Sequence, residues 1–230
     1  MQSYRVELES VIPLTFRTQK AVDSVNLKIS EKNRHVLEIQ ADLETPYQVG
    51  LIVGASGSGK TTLAHKIFGA DCTRDVLDGE LPVIEQFPSS MMYDECVEAL
   101  TGVGLTSIPC WVRPAKTLSN GQRARAEAAL KTSQARLDQV VVLDEWTSTV
   151  DRTIAQIMSH RIAKQFRRSN RRIVLLSCHY DVIPWLEPDW IIDCNSGTFE
   201  KKKSTGASHY TSRSGSVIPG RGAILASITI

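Results

Sequence analysis

Gly54-Ala55-Ser56-Gly57-Ser58-Gly59-Lys60-Thr61-Thr62 is the stretch whose reading decides the fold. Its spacing matches the glycine-rich loop G-x-x-x-x-G-K-[ST]. Glycines at these sites let backbone N–H groups turn inward, because a Cβ would obstruct a positive φ or a close approach. The inward N–H groups make a nest for an anion. A helix opening near Gly59 adds the positive end of its dipole. In such a loop Lys60 reaches the β- and γ-phosphates of a nucleotide, and the Thr61 hydroxyl takes Mg2+.

The flanks have the form the loop requires. Residues 49–53, Val-Gly-Leu-Ile-Val, read as a buried strand, and residues 62–68 read as a helix. Strand, glycine loop and helix together separate this stretch from a chance match in a Gly/Ser-rich loop. Kinases, GTPases and motor ATPases all use such a loop, so it leaves the purpose of the nucleotide open.

The 230 residues suffice for one large domain or two small ones, and an apolar fraction of 42% supplies a core. A net charge of +2 argues neither for nor against a nucleic-acid partner. The cysteines, Cys72, Cys96, Cys110, Cys178 and Cys194, are odd in number and scattered, with no C-x-x-C. They fit a reducing cytosol better than a disulfide framework or a zinc site. No apolar run reaches membrane-span length, and the N-terminus has no signal-peptide core. A soluble, cytoplasmic protein is expected; action at a membrane would need another chain to supply the spans.

Ahead of the loop, residues 4–14, 24–29 and 35–43 show partial apolar alternation and predict strands, with a turn at 30–33. Such an antiparallel patch could cover the nucleotide base, with Phe16 as the stacking aromatic and Tyr4 and Tyr47 as rivals; for each, an ordinary core or surface role competes. Beyond the loop helix, residues 71–88 are polar and irregular, 91–105 read as a short helix and 108–115 as a loop with two prolines. Residues 118–135 open as Leu118-Ser119-Asn120-Gly121-Gln122 and continue as an Ala- and Arg-rich helix. Ser119 or Asn120 suits its N-cap, and a helix start with serine and glycine is a second potential anion site.

Residues 139–143 read as a buried parallel strand ending in Asp144-Glu145. Carboxylates at that end of such a strand face the ligand crevice. Asp144 would hold Mg2+, and Glu145 would orient or deprotonate the attacking water. Residues 151–168 form an amphipathic helix with Ile154, Met158, Ile162 and Phe166 four apart. Its basic end, Lys164, Arg167, Arg168, Arg171 and Arg172, reads as cations at a helix C-terminus in preference to a nucleic-acid patch. Residues 173–177 are another buried strand, followed by His179, placed to reach a γ-phosphate. Residues 190–193 and 198–202 predict a hairpin around Asn195-Ser196-Gly197, and residues 204–230 a flexible tail.

The order of phosphate loop, glutamine, Leu-Ser-x-Gly-Gln, strand with Asp-Glu, nearby Asp and then His resembles the ATP-binding cassette (ABC) ATPases of the P-loop NTPase superfamily, over about residues 20–200. The resemblance implies an α/β fold: a mainly parallel sheet flanked by helices, an N-terminal antiparallel β patch and a short helical signature subdomain at about 87–135, all within 1–203. It implies ATP and Mg2+ as ligands. Gly54 to Thr62 would cradle the phosphates, Thr61, Gln86 and Asp144 would serve the metal, and Glu145, His179 and Lys60 would act in hydrolysis. Ser119, Asn120, Gly121 and Gln122 would contact the γ-phosphate bound to a second protomer, and Asp151 would lie at that interface. Two copies would thus sandwich two ATP molecules head to tail.

Three departures are plain. Asn120 stands where the signature usually has glycine, Trp146 stands where proline is usual, and the segment from Lys60 to Ser119 is short. That short segment holds the part which receives the membrane subunit in transporters, and it weakens the transport reading. Around residues 120–125 and 179–186 the chain is similar to stand-alone bacterial or phage cassette proteins. A transporter subunit and an ATPase clamp on nucleic acid, the latter motivated by residues 164–172 and 201–203, stand as alternatives to a soluble homodimeric ATPase.

Overall fold

The computed structural model describes residues 1–11, 13, 15–24, 32–148 and 150–202. Five strands form the central sheet in the order β4-β5-β3-β6-β7. These are β3 (Val49–Val53), β4 (Val140–Leu143), β5 (Arg172–Ser177), β6 (Trp190–Asp193) and β7 (Thr198–Lys201). The pairs β4/β5, β5/β3 and β3/β6 are parallel, and β7 closes the edge antiparallel to β6. The fold is therefore α/β with a mainly parallel sheet, as the sequence predicts.

The apolar runs in β3, β4 and β5 exist because both faces of the sheet are covered. One face carries Leu51, Val53, Val141, Leu143, Ile173 and Leu175, under helices α3 (Tyr93–Gly102), α5 (Asn120–Gln134) and α6 (Arg152–Ser169). The other carries Ile52, Val142, Val174, Leu176 and Trp190, against helix α2 (Lys60–Phe68) and a two-stranded antiparallel ribbon. That ribbon, β1 (Gln2–Val11) with β2 (Lys32–Ala41), seats Val6, Leu37 and Ile39 beside Leu63 and Ala64. Its register pairs Tyr4 with Ile39 and Leu8 with His35.

Some expectations are corrected. Phe16 to Ser24 is helix α1, so Ser24 ends a helix where a strand was expected; residues 25–29 lie outside the described residues. Lys32 and Asn33 already belong to β2, not to a turn. The 108–115 loop contains a single helical turn, α4 (Ile108–Trp111), where Pro109 sits in the first turn and has no N–H to lose. The tail at 204–230 also lies outside the described residues. Among the described residues, no helix is long and apolar enough to cross a membrane. The last helix among the described residues, α7 (Ile183–Leu186), is one turn long.

Candidate nucleotide site

The phosphate loop runs from the carboxyl end of β3 to the first turn of α2. Gly57 and Gly59 take φ of +79° and +93°, a backbone that side chains resist. A Cβ on Gly59 would also stand 3.0 Å from the Leu8 side chain of the covering ribbon. The first N–H groups of α2 have no acceptor within the helix, and no side chain caps it. Lys60 is 4% exposed, and its ammonium donates to the carbonyls of Gly54 and Ala55, both at 2.9 Å. A buried cation, open N–H groups and a helix start come together at this loop. That is the donor set an anion would need.

The loop is fixed from three sides. Its own turn is closed by Ser58 N–H donating to Ala55 O. Gly54 N–H donates to Ser177 O at the end of β5, and the Ser177 hydroxyl accepts from His179 N–H at 3.0 Å. From the β6–β7 turn, Asn195 Oδ1 accepts from Ala55 N–H at 3.0 Å. Asn195 Nδ2 donates to the Tyr180 hydroxyl, which donates in turn to Asp193 Oδ1. The segment holding His179 and the loop are thus pinned to the same strand ends.

Thr61 and Asp144 meet. The Thr61 hydroxyl donates to Asp144 Oδ2 at 2.7 Å, while Asp144 Oδ1 is buried with no hydrogen-bond partner among the described residues. A hydroxyl and an orphaned carboxylate oxygen beside a phosphate loop suit Mg2+, which takes oxygen ligands and keeps several for phosphate and water. Glu145 is exposed and has φ of +43°, one of three such non-glycine residues among those described. A left-handed backbone at a glutamate costs about 1–2 kcal/mol and points to a site that holds it in place. His179 is exposed next to this end of the sheet.

Gln86 is the correction. Its amide donates to Asp78 O and Leu81 O, and its oxygen accepts from Asp78 N–H. The side chain is spent closing its own loop and is not brought to Thr61 and Asp144. Among the aromatic residues, Tyr47 is 5% exposed, packs edge-on against Trp190 at 5.3 Å, and burial pushes its hydroxyl pKa up to about 12. It is closed to a base. Tyr4 is half-buried with its hydroxyl donating to Gln2 Oε1, and Phe16 is exposed on α1 with Lys20 over its ring.

Ser119 is the N-cap of α5. It accepts from Gln122 N–H at 3.3 Å while Gln122 Oε1 accepts from Ser119 N–H at 3.0 Å, a reciprocal capping box. Asn120 and Gly121 form the first turn, and Asn120 is exposed. Asp151 caps α6, accepting from Ile154 N–H at 3.0 Å. A cleft of about 260 Å3 runs between α5 and the end of β4, lined by Thr73, Asn120, Arg123, Lys131, Asp144 and Trp146. Trp146, at the position usually proline, is buried in the core. Sequence reasoning missed Asn195, Ser177 and Tyr180; Asn195 reads only as a turn former, and nothing local signals a contact 140 residues away.

No protein-family model and no curated protein sequence matches the chain. Solved structures do. The dimeric structure of MJ0796, a bacterial ABC transporter cassette, superposes with a TM-score of 0.55 at 16% identity, over 74% of this chain and 94% of that one. The post-hydrolysis dimer of the same cassette bound to ADP and Pi gives 0.57 at 16% identity, over 77% and 95%. A cobalt transport ATP-binding protein, cbiO-2, gives 0.53 at 19% identity, over 75% and 74%. At such identities the likeness is one of fold, and the fold is that of the ABC cassettes.

Proposed function

We propose that the chain binds ATP with Mg2+ and hydrolyses it to ADP and phosphate, two copies closing head to tail around the nucleotides. The observation that carries this reading is the Thr61–Asp144 contact beside the buried Lys60. The phosphate loop, Gly54 to Thr62, binds the polyphosphate through those of its N–H groups that no protein acceptor takes, and Lys60 neutralises its β- and γ-oxygens. Thr61 and Asp144 would hold Mg2+, which offsets the charge on the transferring group. Glu145 accepts a proton from water as the water oxygen bonds to the γ-phosphorus and the bond to the β,γ-bridging oxygen breaks. ADP leaves with the bridging oxygen. His179 contacts the γ-phosphate.

The remaining donors come from the second copy. In this reading residues 87–135 are the signature subdomain of a 1–203 cassette. The α5 start, Ser119 to Gln122, presents a helix N-terminus to the partner's γ-phosphate, and Asp151 lies at the joint. A lone protomer lacks that field and hydrolyses ATP slowly. The compact region between Lys60 and Ser119 favours a self-contained cytoplasmic machine over a transporter subunit.

Light scattering on Glu145→Gln with and without ATP and Mg2+ tests the reading, because removing the base traps the closed state. A monomer-to-dimer shift on adding ATP is expected. A mass that stays monomeric while ATP binds would overturn the homodimer, and wild-type hydrolysis by both Lys60→Ala and Glu145→Gln would overturn the site.

A further inference from the structure

Between residues 152 and 172 the chain has seven Arg and Lys residues and no Asp or Glu, although its net charge is only +2. The rest of the molecule is therefore net acidic, and the cations are concentrated on α6 and its exit. Four of the seven have local work. Arg152 pairs with Asp181; Arg167 donates to Leu186 O and Glu187 O; Arg171 donates to Thr132 O and Ala135 O; and Arg172 donates to Asp138 O. These fit the reading of cations serving carbonyls and a helix end.

Arg161, Lys164 and Arg168, with His160, do not. All four are exposed, and none has a hydrogen bond or ion pair among the described residues. The buried face of α6 is Ala155, Met158, Ser159, Ile162, Ala163 and Phe166, so these four share the solvent face. His160, Lys164 and Arg168 recur every fourth residue, about 6 Å apart along the axis. They line one wall of a groove of about 370 Å3 whose only acid, Glu187, is itself paired with Lys202.

We propose that the solvent face of α6 is a binding track for the phosphate backbone of a nucleic acid, read without regard to base sequence. About 12 Å of helix between His160 and Arg168 matches three or four phosphates of one strand. The chemistry disfavours an acidic protein as occupant. Protein interfaces centre on apolar and aromatic anchors, whereas this face offers only a half-exposed Ile157, and the Trp185 ring in the groove is covered by Arg152 at 5.0 Å. Backbone phosphates need cations alone. At its other end α6 is tied by Arg152 to Asp181, two residues past His179, so the helix that carries the track begins beside the proposed nucleotide site.

The test is fluorescence anisotropy of the full chain with a labelled duplex and a labelled single strand of mixed sequence at several salt concentrations. Binding that weakens with salt, with a log–log slope of about −3, is expected. Lys164→Glu/Arg168→Glu should weaken it at least about tenfold and flatten the slope by about 2. Lys201→Glu, whose ammonium faces Asp42 away from the groove, should bind as the parent does. Binding of a labelled ATP analogue, unchanged in the α6 variant, reports that it is folded and separates this inference from the ATPase reading. Lys164→Gln/Arg168→Gln repeats the test with a smaller loss should the reversal fail to fold. No binding at low salt, an α6 variant that binds like the parent, or an equal loss in the Lys201 variant would overturn the track.

Discussion

The Thr61 hydroxyl donates to Asp144 Oδ2 at 2.7 Å, joining the start of α2 to the end of β4 across 83 residues of chain. The parallel sheet makes this possible, because β3 and β4 both deliver their carboxyl ends to one edge. The other oxygen of Asp144 is buried without a partner, so the carboxylate is poised to hold a cation. Asp144→Asn retains an acceptor for Thr61 and removes the charge. It should fold with a melting temperature close to the parent's and lose the Mg2+ dependence of ATP binding. Thr61→Ala removes the donor as well and should lower stability by about 1–3 kcal/mol without nucleotide. Thermal melts with and without Mg2+ and ATP check both, and an Asp144→Asn protein still stabilised by Mg2+ would refute the metal assignment.

Asn195 reaches Ala55 from the β6–β7 turn and should matter for nucleotide affinity. Asn195→Ala leaves Ala55 N–H unpaired within the phosphate loop and should weaken ATP and ADP binding about fivefold, matching the roughly 1 kcal/mol of one hydrogen bond. Asn195→Asp keeps the acceptor but adds a negative charge next to bound phosphate, so it should weaken ATP more than ADP. Titration with a fluorescent nucleotide measures both. If Asn195→Ala binds like the parent, the loop is held well enough by its own Ser58-to-Ala55 turn and the bond from Gly54 N–H to Ser177 O.

What was legible in the sequence and what was not follows from the range of the interactions. Glycine spacing, an N-cap at Ser119 or Asn120 and the apolar runs at 49–53, 139–143 and 173–177 are local, so strand, loop and helix could be read directly. Thr61 and Asp144 could be expected together because parallel strands end at one edge. Helix α1 was missed because its residues, Phe16 to Ser24, bury nothing and give no core-facing stripe. Gln86 was misplaced because motif order names a residue without fixing its side chain, and three bonds within residues 78–86 hold that amide elsewhere. The loop's tie to Asn195 is purely tertiary, with no local pattern to announce it.

Ser119 has two duties in this account, and one substitution separates them. As N-cap it stabilises α5, and Ser119→Ala should cost about 1 kcal/mol. Aspartate is as good a cap, so Ser119→Asp should melt within a few degrees of the parent. Facing the γ-phosphate of a second copy, however, that carboxylate would repel it. In the Glu145→Gln background, Ser119→Asp should therefore abolish the ATP-driven rise in molar mass. A double variant that still dimerises with ATP would confine Ser119 to its cap.

The strand carrying the loop is set by a close approach of backbone to ring. Gly50 lies opposite Trp190 in the β3/β6 register, and a Cβ on Gly50 would stand 2.1 Å from Trp190 Cζ2. Trp190 is 2% exposed and wedged by Tyr47 on one side and Phe199 on another, so its ring has no room to retreat. Even one methyl group must push β3 from β6 or force the ring off its rotamer, and β3 ends in Gly54. Gly50→Ala should cost about 1–3 kcal/mol, a drop of several degrees in Tm for a domain of this size. It should also weaken nucleotide binding, because the strand aims the loop. Trp190→Phe leaves a smaller ring and should restore part of the loss when combined with Gly50→Ala, although alone it opens a cavity. The pair should thus be non-additive by more than about 0.5 kcal/mol in a double-mutant cycle. Additive melts, or a Gly50→Ala protein as stable as the parent, would mean that the two strands part easily and that the glycine is not what sets their spacing.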